Sequence, residues 1–121
     1  MLKVLLVDDD GAFRASLHRL LRADGDQVWE AGDGNEALTL LDRQPVDVVV
    51  TDVLMPFKDG LQTIIEIRHR WPSLKIIVMS GGGFCPAGMY LELGLKLGAT
   101  LALEKPFAFK KLSAAMREAR A

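Results

Sequence analysis

Two apolar runs in this 121-residue chain each end in a carboxylate, and no other feature restricts the fold as much. Leu2-Lys3-Val4-Leu5-Leu6-Val7 runs into Asp8-Asp9-Asp10, and Val46-Asp47-Val48-Val49-Val50-Thr51 runs into Asp52. Runs this rich in Val and Leu suit parallel strands buried on both faces. Ligands of such sheets bind beyond the carboxyl ends of the strands, so the acids should converge on one rim. Carboxylates crowded together repel one another unless a cation sits among them, which implies a bound metal or a compensating lysine.

Beyond Asp10 the hydrophobic period switches repeatedly between helix and strand. Phe13, Leu17, Leu20 and Leu21 fall at i, i+4, i+7 and i+8, one face of a helix, with Asp10 as its N-cap. Asp24-Gly25-Asp26 is a turn before a short strand, Gln27 to Ala31. Gly32-Asp33-Gly34 then opens a second helix through Ala37, Leu38 and Leu41 that stops before Pro45. The third strand ends at Asp52. Met55-Pro56-Phe57-Lys58-Asp59-Gly60 has turn chemistry at both ends, and a third helix with Leu61, Ile64, Ile65 and Ile67 ends near Trp71-Pro72. Lys75 to Met79 is the fourth strand, broken by Ser80-Gly81-Gly82-Gly83, after which Pro86 starts a helix carrying Tyr90, Leu93 and Leu97. Ala99 to Leu103 is the fifth strand, and the last helix has Phe109, Leu112 and Met116 on one side. Five strands and five helices in strict alternation predict an α/β fold, a doubly wound parallel sheet with helices on both faces and right-handed crossovers.

The length predicts one domain over residues 1–121 with a core that needs no staples. With 15 basic and 16 acidic residues the net charge is close to zero, which argues against wholesale electrostatic capture of nucleic acid or an anionic membrane. One cysteine, Cys85, excludes an internal disulfide and fits a reducing cytoplasm. The N-terminus reads as a strand rather than a signal peptide, and no apolar run approaches the ~20 residues of a membrane-spanning helix. Every polar group that stands out follows a strand: Asp8 and Asp9 the first, Asp52 the third, Ser80 the fourth, Lys105 the fifth.

Val7-Asp8-Asp9-Asp10, Thr51-Asp52-Val53-Leu54-Met55-Pro56 with Asp59-Gly60, Met79-Ser80-Gly81 and Lys105-Pro106-Phe107 together resemble the receiver domain of two-component response regulators, in its single-domain, chemotaxis-regulator-like form. The resemblance covers essentially the whole chain, with the motifs in family order. It implies a flavodoxin-like sheet of order 2-1-3-4-5. It also implies a phosphoacceptor rather than an enzyme. A phosphoryl group passes from a phosphohistidine, on a sensor histidine kinase or a histidine phosphotransfer protein, to Asp52, and the domain assists its own phosphorylation and dephosphorylation. By the same resemblance Asp9 and Asp52 ligate Mg2+ (or Mn2+), the Leu54 backbone carbonyl supplies a third oxygen, and Asp8 acts through a water. Lys105 pairs with a phosphoryl oxygen, Ser80 donates its hydroxyl to another, and Gly81 leaves the approach to Asp52 open. A cis Lys105-Pro106 bond turns the ammonium toward Asp52. A downstream protein then engages the surface of the fourth helix, fifth strand and fifth helix, with no direct nucleic-acid or membrane partner.

The chain departs from the family pattern in three ways. Ala102 stands where receivers usually carry Tyr or Phe three residues before the lysine, so the usual aromatic switch is missing. The stretch from Ser80 to Lys105 is a few residues longer than is common, with the excess in Gly82 to Gly88. No effector domain follows the last helix in the sequence, and the lack of a trailing linker favours a natural single-domain regulator over an excised receiver. The main alternative is a pseudo-receiver that binds proteins without being phosphorylated, whose hallmark is loss of an acid or of the lysine; all are present. A haloacid dehalogenase-type hydrolase needs an acid where Leu54 stands, and a flavodoxin phosphate loop is incompatible with Asp8-Asp9-Asp10. His18 and His69 read as surface residues of helices, Cys85 as a loop residue, and Trp29 and Trp71 as packing or surface aromatics.

Overall fold

The two carboxylate-terminated strands lie side by side in the middle of the sheet. The structure, a computed structural model, describes residues 1–53, 60–81 and 87–120, without the side chains of residues 87–91 and 120. In chain order the elements are β1 (Lys3–Val7), α1 (Gly11–Ala23), β2 (Gln27–Ala31), α2 (Gly34–Arg43), β3 (Val48–Asp52), α3 (Gly60–Arg70), β4 (Lys75–Ser80), α4 (Ala87–Leu97), β5 (Leu101–Glu104) and α5 (Phe109–Arg120). All strand pairs are parallel and the order is β2-β1-β3-β4-β5, the expected flavodoxin-like arrangement.

The valine and leucine runs are buried on both faces, as parallel strands require. Val4 and Leu6 of β1, Val48 and Val50 of β3, and Ile77 and Met79 of β4 meet Leu17 and Leu21 of α1 and Leu112 and Met116 of α5. The alternate residues, Leu5, Val7, Val49, Ile76 and Val78, meet Ala37, Leu38 and Leu41 of α2 and Ile64 and Ile67 of α3. All five residues of β3 are buried, which holds Asp52 at the end of the most enclosed strand. Among the described residues no helix is long and apolar enough to cross a membrane.

Local chemistry starts the helices where the sequence indicates. Asp10 caps α1, its carboxylate accepting from the Phe13 amide at 3.1 Å. Asp33 caps α2 by accepting from the Glu36 amide, and Glu36 accepts in turn from the amide of Gly32, the residue before the cap. Some details differ from expectation. Leu20, Ile65 and Leu93 are 45%, 49% and 40% exposed rather than packed inward, because the buried stripe on each helix is narrower than the apolar one. β3 begins at Val48, two residues later than expected. β4 runs one residue further, because the Lys105 amide donates to the Ser80 carbonyl at 2.9 Å and extends the ladder. β5 is shifted to Leu101–Glu104, so Lys105 follows its last residue directly. Pro86, Cys85 and residues 82–86 of the lengthened loop lie outside the described residues.

Candidate functional site

Register brings the acids together. Val7 pairs with Thr51 across β1 and β3, so the next residues, Asp8 and Asp52, stand side by side at the carboxyl rim. Asp8 is 1% and Asp52 8% exposed, while Asp9 faces solvent. One carboxylate oxygen from each of the three lies within 4.8 Å of the others.

Lys105 reaches into this group from the end of β5. Its Nζ donates to Asp8 Oδ2 and to Asp52 Oδ2, 2.8 Å in each case. Burial alone would pull the ammonium's pKa down, but the hydrogen bonds to Asp52 and Asp8 outweigh it and hold the lysine above its ordinary value, fully protonated at neutral pH. Among the described residues, three carboxylates against one ammonium leave a formal charge of −2 at the rim. Asp8 Oδ1 accepts from the Asp10 amide at 2.9 Å, so both Asp8 oxygens already serve the protein. The donors are all hard oxygens, a set that fits Mg2+ or Mn2+ and is unlike the nitrogen and sulfur sites of zinc or copper.

Two glycines make the packing possible. A Cβ on Gly81 would stand 2.5 Å from Lys105 Cβ, so glycine here makes room for the lysine stem, a more specific task than an open approach to Asp52. A Cβ on Gly60 would fall 2.5 Å from Val53 Cα and overlap the Asp52 carbonyl oxygen. Gly60 also donates its amide to the Val53 carbonyl at 2.9 Å, which presses the start of α3 onto the end of β3.

Ser80 ends β4 opposite Glu104, fully buried, and among the described residues its Oγ has no hydrogen-bond partner. A buried unpaired hydroxyl costs about 1–3 kcal/mol, so among the described residues the rim carries an unmet donor beside its excess of carboxylates. Ala102 pairs with Val78 and packs against the α2–α3 side of the sheet. The Lys105–Pro106 bond is cis. Leu54, expected to offer its carbonyl, lies outside the described residues.

Sequence reasoning missed one contact at the site and one group between α1 and β2. Phe13, read only as a core-face residue, presents its ring to Lys105 Nζ, 4.3 Å from the centroid. His18, read as a surface residue, is half-buried with Nδ1 2.6 Å from Glu30 Oε2. Arg14 bonds the other Glu30 oxygen at 2.7 Å and the backbone carbonyl of Asp8. Burial raises the Glu30 pKa, but the bonds from Arg14 and His18 outweigh it and the carboxyl ends below its usual value. Nothing in the local sequence announces either contact, because the partners lie on different elements.

A family model described as "Response regulator receiver domain" matches residues 4–117. This chain belongs to the response regulator receiver domain family. The receiver is 41% identical over 115 residues to the response regulator MprA of Mycolicibacterium vanbaalenii, a match covering 95% of this chain and 48% of that one. It is also 41% identical over 119 residues to the transcriptional regulatory protein CpxR of Klebsiella pneumoniae, covering 97% and 48%. The receiver thus spans about half the length of these curated relatives. Among solved structures, a response regulator receiver domain protein from Clostridium thermocellum superposes with a TM-score of 0.91 at 30% identity, covering 99% of this chain and 94% of that one. The chemotaxis protein CheY4 of Vibrio cholerae gives 0.86 at 30% identity with 98% of each covered. Response regulators partner with sensor kinases and downstream targets.

Proposed function

We propose that the domain accepts a phosphoryl group on Asp52 from a phosphohistidine of a sensor histidine kinase or a histidine phosphotransfer protein. A carboxylate oxygen of Asp52 attacks phosphorus, the P–N bond to the imidazole breaks, and its electron pair stays on the ring nitrogen, leaving an acyl phosphate. The observation that carries this reading is the Lys105 ammonium bonded to both Asp8 and Asp52 within a cluster of three carboxylates. Such an arrangement is poised to exchange carboxylate contacts for phosphoryl oxygens, and catalysis of phosphoryl transfer is largely positioning and charge neutralisation. Asp9, Asp52 and the Leu54 carbonyl would hold Mg2+, with Asp8 acting through a water, and the bound ion would supply positive charge against the phosphoryl oxygens. Lys105 takes one phosphoryl oxygen, and the Ser80 hydroxyl, unpartnered among the described residues, takes another.

Residues 1–121 act on this reading as one receiver unit in the cytoplasm, where Mg2+ and phosphohistidine donors are at hand. Output passes to a protein target through α4, β5 and α5, whose exposed Leu93 and Leu95 give α4 an apolar flank. The intact acids and lysine support phosphoryl acceptance over a purely binding role.

Incubation with acetyl phosphate and Mg2+, followed by intact mass, tests the proposal. The wild type should gain a single acid-stable, base-labile phosphoryl adduct, and Asp52→Asn should gain none. Undiminished labelling of Asp52→Asn, or labelling of the wild type that is indifferent to metal, contradicts it.

A further inference from the structure

We infer that Phe13 is a positioning residue for Lys105, holding its ammonium at the rim through the face of the aromatic ring. This role rests on the reading of Asp52 as phosphoacceptor. The Phe13 centroid lies 4.3 Å from Lys105 Nζ, well inside the range over which a ring quadrupole attracts a cation. The ring is itself fixed. Phe13 sits in the first turn of α1, where its amide is tied to the Asp10 cap, and Phe107 meets it edge-on at 6.2 Å and 82°. Both rings pack against the core cluster on the α1–α5 side of the sheet. Lys105 is thus held at its stem by Gly81 and at its head by two carboxylates and a ring.

The chemistry of that third contact differs from the first two. Asp8 and Asp52 must redirect their oxygens when a metal and a phosphoryl group enter, so the lysine's anionic partners change during the reaction. The ring neither titrates nor ligates a hard cation, and it uses none of the three ammonium hydrogens as a strong acceptor would. Phe13 therefore supplies an attraction that persists as the carboxylate contacts are exchanged, keeping the ammonium where a phosphoryl oxygen arrives. Leucine is apolar but smaller and has no quadrupole, so Phe13→Leu removes this attraction together with the edge contact to Phe107, and a Lys105→Ala background separates the two effects.

Two readouts test the role. In the unmodified protein, the Lys105 ε-methylene protons should show an upfield ring-current shift by NMR, lost in Phe13→Leu and retained in Phe13→Tyr. In acetyl phosphate labelling with Mg2+, Phe13→Leu should be slowed about five-fold, a factor within reach of one desolvated cation–ring contact, and Phe13→Tyr should match the wild type. In a Lys105→Ala background, Phe13→Leu should slow labelling no further, whereas a residue that only supports the fold would slow both backgrounds equally. Equal rates for wild type and Phe13→Leu, or an equal loss in both backgrounds, overturns the role while leaving Asp52 as phosphoacceptor. A wild type that takes no label at all overturns the phosphoacceptor reading and this role with it.

Discussion

The two rims of the sheet use the same residue types to opposite ends. At the amino rim, Asp26 accepts from the Leu2 amide at 2.9 Å and Asp47 from the Lys3 amide at 2.7 Å. The Arg68 guanidinium there donates to the carbonyls of Gly98, Pro72 and Leu74, joining the end of α3 to the starts of β4 and β5. Each charge meets neutral backbone, and the interactions hold strand ends in place. At the carboxyl rim, among the described residues, Asp8, Asp9 and Asp52 crowd around one lysine, and Ser80 buries a hydroxyl without a partner. Charges satisfied by backbone make structure, whereas charges left unbalanced against one another make a site that a cation and a phosphoryl group can complete.

The largest effect should come from the glycine that presses α3 onto the active rim. Gly60→Ala forces a methyl group into the Asp52 carbonyl and Val53, and should destabilise by about 3 kcal/mol in urea unfolding and sharply reduce labelling per folded molecule. At the other rim, Arg68→Met leaves three carbonyls without their donor. It should cost about 2 kcal/mol while labelling per folded molecule stays at the wild-type level, which is what separates the rims.

The division between the rims was half legible in the sequence. The acids after the first and third strands and the lysine after the fifth announce themselves, because a charged residue ending an apolar run has nowhere to go but the rim. The helical faces were read too broadly: an apolar stripe does not say how far a neighbouring helix covers it, and Leu20 and Ile65 stay exposed. Ser80 read as a loop residue because its place in β4 depends on a ladder bond from distant Lys105. The ring of Phe13 over Lys105, and the Arg14–Glu30–His18 group, join residues on separate elements, so only the folded chain displays them.

Smaller effects sharpen the contrast. Ser80→Ala removes a buried hydroxyl that is unpaired among the described residues and should raise stability by about 1 kcal/mol, while weakening the response of β5 amides to beryllofluoride. A stability loss would show that the hydroxyl is satisfied in solution. The Glu30 group gives the smallest effect, visible only in acid. Its folded pKa lies below the ordinary 4.5, so the bonds from Arg14 and His18 stabilise fully above that pH and are lost as pH falls through the folded value. The thermal midpoint of wild type should therefore exceed that of Glu30→Gln at neutral pH and converge with it in acid.

One crossed measurement tests the division of labour itself: thermal midpoint and acetyl phosphate labelling, both read for Asp47→Ala and Asp52→Asn. Asp47→Ala, which removes the acceptor for the Lys3 amide, should lower the midpoint by a few degrees and take full label. Asp52→Asn should stay folded, with carboxylate repulsion relieved, and take none. Labelling that survives in Asp52→Asn, or that disappears in a folded Asp47→Ala, would contradict the account.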